Sequence, residues 1–178
     1  MTTHLTKAQL SAAQIGPGVD SHLLGIYLGD HLTGASGGST RIADMARRHA
    51  EEPYGPDLAV IADQVQDELT TLRDVILALD LSTHPTRRLI AWVGERLGSL
   101  KPNGRIVGTS PMTPVLELDL MRAAVNAKGA GWEVLEHYAG DLGLPADPFA
   151  ALRDQSRQQS ETLARAHSLA LTTAFRSS

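Results

Sequence analysis

A glutamate followed three residues later by a histidine, on each of two helices, is how many four-helix bundles hold a pair of metal ions, because i and i+3 put both ligands on one inward face. None of the seven histidines in this chain meets that pattern. The residue three places earlier is Val19 before His22, Leu28 before His31, Ala46 before His49, Leu81 before His84, Val134 before His137 and Ala164 before His167. The chain also lacks His-Glu-x-x-His and a phosphate loop ending in Gly-Lys-Ser/Thr, and "GASGGST" has the wrong spacing for dinucleotide binding. Cysteine is absent, which removes thiolate metal sites, thiol nucleophiles and disulfides together.

What remains are single polar residues on otherwise apolar helix faces. His31 lies on the row Leu24, Leu28, His31, Ala35, Gly38, Ile42, Met45 and His49, where it reads as a general base or metal ligand, or as a neutral core histidine bonded to a neighbour. Asp30 points about 100° away around the helix and is expected to pair with a cation on another helix. Glu68 sits at the edge of the Val65, Leu69, Leu72 stripe, and a carboxylate there needs a partner or a raised pKa. Lys128 falls in register with Met121, Val125, Trp132 and Leu135, so a buried Glu68–Lys128 ion pair is the expected arrangement, with a catalytic lysine as the alternative. His167, near Leu163 and Ala170, is the third inward candidate; His31, Glu68 and His167 are therefore the catalytic candidates. Glu133 and His137, four apart, read as a surface pair.

Five helical segments are expected to position these groups. Residues 1–18 carry Gly16-Pro17-Gly18 and read as a flexible N-terminal arm before a single bundle domain over 19–178. Asp20 or Ser21 caps a first long helix that runs to about residue 52. Asp57 caps a second, whose buried stripe is Leu58, Ile61, Val65, Leu69, Leu72, Ile76 and Leu79. A short helix follows Pro85 and carries Leu89, Trp92, Val93 and Leu97, with Arg87, Arg88, Arg96, Lys101 and Arg105 gathered around it as a solvated basic face or a phosphate site. Thr113-Pro114 opens a long helix to about residue 140, and Asp147-Pro148 opens the last, to about 175. With short connections the expected fold is an all-α, up-down four-helix bundle with one extra short helix.

The first long helix contains Gly34, Gly37 and Gly38 at mid-length. Each costs about 1 kcal/mol against alanine in a helix interior, so the sequence predicts an offset: a helix-packing seam at Gly34, Gly37 and Gly38 where a neighbour presses close, or a distortion that leaves room for a ligand.

Composition narrows the function classes. The net charge is −4 with pI about 5.9, so no bulk positive field exists to hold nucleic acid or an anionic membrane. No apolar run reaches the roughly 18 residues of a membrane helix, and the N-terminus lacks a signal-peptide pattern, so a cytoplasmic protein is expected.

The segments "YLGDHLTGASGG", "AWVGERLGSLKPNGR", "TSPMTPVLELDL" and "AVNAKGAGWEVL" resemble an uncharacterised family of small bacterial helical proteins, and the layout over about residues 21–175 is similar to the ferritin-like bundles. That resemblance implies architecture; no ligand residue carries over, and no metal site or cofactor is expected. The leading reading is a non-enzymatic scaffold or partner-binding bundle, a homodimer through the glycine seam or the polar last helix. Two others stand beside it: a metal-dependent oxidase or hydroxylase with a degenerate site at His31, Glu68 and His167, and a small-ligand carrier whose pocket is bounded by Tyr27 and Trp92 or Trp132.

Overall fold

The computed structural model describes residues 5–82 and 110–175. Among them are five helices: α1 (Lys7–Ser11), α2 (Ser21–Arg48), α3 (Gly55–Ala78), α4 (Thr113–Tyr138) and α5 (Asp147–Ala174). The short helix expected after Pro85, with Trp92 and its surrounding basic residues, lies outside the described residues. None of the helices is long and apolar enough to cross a membrane.

Local chemistry explains the helix ends. Asp20 caps α2 by accepting from the backbone N–H groups of His22 and Leu23, both at 3.0 Å. The other three long helices start without a side-chain cap and instead carry proline in the first turn, where its missing N–H has no partner to lose. Asp57 and Asp147, expected as caps, sit inside the first turns of α3 and α5, favoured there by the helix dipole. Between α2 and α3 the chain turns at Gly55, where a Cβ would lie 2.5 Å from the His49 carbonyl oxygen; only glycine fits.

The described residues form an all-helical bundle with no strand, as the periodicity predicts. α2 packs on α3 and α4, and α5 packs on α4 and α3. Arg41 and Arg48 near the end of α2 reach Glu117 at the start of α4, so these helices run antiparallel. Gln64 and Glu68 of α3 meet Gln159 and Gln155 of α5, again antiparallel. α3 and α4 consequently run the same way on a diagonal, and residues 79–112 join opposite ends of a bundle about 39 Å long at 1.5 Å per residue over α4.

Residues 5–18, within the segment expected as a flexible arm, pack against the bundle. Thr6 and Gln9 form a capping box for α1. Leu5, Leu10, Ala13 and Ile15 pack on the core, and the backbone N–H groups of Gln14 and Gly16 donate to Leu142 and Asp141 at 3.0 and 2.7 Å. Its apolar residues, spread thinly among polar ones, find their partners only in the assembled bundle.

The interior divides into two apolar layers. The upper one includes Leu28, Leu72, Val75, Trp132, Leu135 and Phe149; the lower includes Ile42, Met45, Leu58, Val125, Leu118 and Leu163. Between them α3 contributes Glu68, α4 Lys128, and α5 Ser156 and Gln159, so one polar level crosses the bundle at mid-height.

Candidate functional site

The polar level is built around Glu68, which is 2 % exposed. Its Oε2 accepts from the Lys128 ammonium, and its Oε1 accepts from Gln155 Nε2 and Gln159 Nε2, both at 3.0 Å. Lys128 also donates to Gln159 Oε1 at 2.5 Å, and Gln159 Nε2 to Gln64 Oε1 at 2.9 Å. Burial pushes the Glu68 carboxyl above the usual carboxylate range against the pull of Lys128, and burial likewise pulls the Lys128 amine down against the pull of Glu68. The pair spans the α3/α4 diagonal, and the glutamines take the remaining lone pairs. Such a closed network orients helices well but presents no acid or base to an incoming molecule.

A second buried carboxylate, Glu117, is held by two arginines from the last two turns of α2 and by the histidine at its C-cap. Arg41 Nη2 and Arg48 Nη1 donate to Oε1, each at 2.7 Å, and His49 Nε2 lies 3.1 Å from Oε2. Tyr54 stacks near His49, with ring centroids 5.8 Å apart; burial, then the charges of Glu52 and Glu117, raise its hydroxyl pKa. Sequence reasoning placed His49 on the inward row but did not join it to Glu117. The available signal was that Arg41 and Arg48 are seven apart, hence on one face beside Ile42 and Met45.

The three catalytic candidates do not converge. His31 packs its ring against Tyr27, centroids 4.5 Å apart, and over Gly131 of α4. Burial lowers its pKa against the charge of Asp30, so the imidazole is neutral at pH 7. His167 instead meets Asp119 at the surface, Nε2 to Oδ1 3.1 Å. Gly131 and Asp119, their contacts on α4, are about 18 Å apart along the helix, and Glu68 lies between, committed to Lys128. No group of three His, Asp or Glu among the described residues is placed to hold a metal ion. Trp132 is 3 % exposed and stacked on Phe149, with centroids 6.4 Å apart, so it fills core rather than bounding a ligand space. A cavity of about 110 Å³ lies elsewhere, under α1 and against α3, lined by Leu5, Leu10, Asp67, Thr70, Thr71 and Asp74.

The glycine seam is also displaced. A Cβ added at Gly34 or Gly38 would meet nothing within 4 Å, and Gly37 is half-buried. The tight approaches are on α4 instead: a Cβ at Gly131 would sit 3.0 Å from His31 Nδ1, and one at Gly129 3.3 Å from Ser156 Cβ. Helical periodicity shows where a rod is thin, not which rod a neighbour presses. Gly34→Ala is accordingly expected to raise stability by about 0.5–1 kcal/mol, whereas Gly131→Leu, which must displace the His31 ring, is expected to lower it by about 1–3 kcal/mol; urea melts of the two variants check both signs.

No family model, curated protein or solved structure matches this chain.

Proposed function

We propose that this chain is a non-enzymatic helical-bundle protein that acts by presenting its surface to a partner. The observation that carries the reading is the state of the two interior carboxylates among the described residues. Glu68 is closed off by Lys128 and two glutamines, and Glu117 by two arginines and a histidine. Charges arranged this way lock helices in register, the best-attested use of buried ion pairs. An oxidase or hydroxylase of ferritin-like ancestry would need His31, Glu68 and His167 at one point, and they face three different neighbours.

Metal titration tests the reading. Purified protein, stripped of metal and titrated with Fe(II), Mn(II) or Zn(II) in a calorimeter, is expected to show no stoichiometric binding. One equivalent bound at micromolar affinity, lost in His31→Ala or His167→Ala, would overturn it.

A further inference from the structure

On one side of the lower end of the α4/α5 pair four apolar side chains stand in solvent: Met112 is 43 % exposed, Leu116 41 %, Leu171 41 % and Phe175 67 %, while Leu169, 46 % exposed, points to another side of α5. Their positions are not scattered. Met112, Leu116 and Asp119 follow one another at steps of four and three along one face of α4, and His167, Leu171 and Phe175 at steps of four along one face of α5. The 3.1 Å contact between His167 and Asp119 makes those faces neighbours. Because the helices are antiparallel, one turn back along α4 from Asp119 to Leu116 is matched by one turn forward along α5 from His167 to Leu171. The next turn matches Met112 with Phe175. The surface is thus a ladder of three rungs, each with one residue from each helix.

A contiguous exposed apolar block marks a contact surface, and the rungs say what fits it. A two-fold axis along the seam between α4 and α5 exchanges the two helices at constant height. Each residue then meets its own rung-mate in the second copy: Leu116 on Leu171, Met112 on Phe175, and the Asp119 carboxylate on the His167 ring. No like charges are brought together. That is the self-complementarity an isologous contact demands. We propose that a second copy of this chain docks on the lower α4/α5 seam to form a two-fold dimer, an inference that rests on the partner-binding reading and names its partner.

Sedimentation equilibrium of the whole chain over a wide concentration range tests it, with wild type expected to show a reversible monomer–dimer equilibrium. Leu116→Glu puts a carboxylate at the centre of the contact and is expected to raise the dimer Kd at least ~30-fold, the effect of a central interface residue. Its helical circular dichroism should be unchanged. Phe175→Ser, beyond the last turn of α5, is an independent second variant expected to weaken the dimer without touching the core. Leu77→Glu, at an apolar side chain 80 % exposed on α3, is expected to leave the dimer intact. A wild type that stays monomeric throughout, a dimer indifferent to Leu116→Glu and Phe175→Ser, or one broken by Leu77→Glu would overturn the proposal. A monomer that binds no metal defeats the dimer alone, whereas stoichiometric metal uptake defeats the partner-binding reading whatever the oligomeric state.

Discussion

Lys128→Met is expected to cost about 3–5 kcal/mol of stability, the range for stranding a buried charge. The methionine leaves Glu68 with two amide donors and no counter-charge in a site 2 % exposed. Adding Glu68→Gln should return most of that loss, bringing the double variant within about 1–2 kcal/mol of wild type or above it, because neutral side chains need no repayment of ion desolvation. Chemical denaturation of the two singles and the double gives the cycle. A purely additive result would mean that the two charges do not interact in the fold.

The same pair sets a pH signature. The folded pKa of Glu68 is raised above its ordinary value of 4.5. Its contribution to stability is therefore fully present below that value and is lost as pH climbs through the raised one. The folded pKa of Lys128 is lowered from 10.5, so its contribution is present above that value and lost as pH falls through the lowered one. Both place the cost of the charged pair in the neutral range. Melting temperature measured upward from pH 4.5 should fall with this component in wild type, and the component should vanish in Glu68→Gln/Lys128→Met. An identical acid limb in both proteins would remove Glu68 as its source.

Glu117→Gln carries the second large effect. It leaves the Arg41 and Arg48 guanidinium groups, both drawn to one carboxylate oxygen, without an anion. A loss of about 1.5–3 kcal/mol is expected from the charged hydrogen bonds given up, the guanidinium groups keeping partial access to water. Arg48→Ala, by contrast, removes a side chain that is 41 % exposed and leaves Arg41 on Glu117, so about 0–1 kcal/mol is expected, as for exposed pairs. The asymmetry between carboxylate and arginine distinguishes a buried anchor from a surface bridge. Equal losses would show that Glu117 is reached by water as freely as Arg48.

The sequence by itself determined the long helices and their inward faces. Their apolar residues recur at three and four, and Asp20, Pro114 and Pro148 mark the starts of three of them. It also put Glu68 at the edge of one buried stripe and Lys128 in register with another, since Val65 and Leu72 lie one turn from the first and Val125 and Trp132 near the second. Partner choice was beyond it, because periodicity fixes a direction around one axis and says nothing of what stands there. Only the assembled bundle made α3 and α4 parallel, turned His31 onto Gly131 while leaving Gly34 and Gly38 open, and gathered Arg41, Arg48 and His49 on Glu117. It likewise tied down the N-terminal segment through backbone bonds to Asp141 and Leu142, groups with no side-chain signature to read. Local patterns are set by bonds and sterics within a few residues; contacts between residues 60 to 130 positions apart depend on how whole rods are stacked, and that is decided in three dimensions.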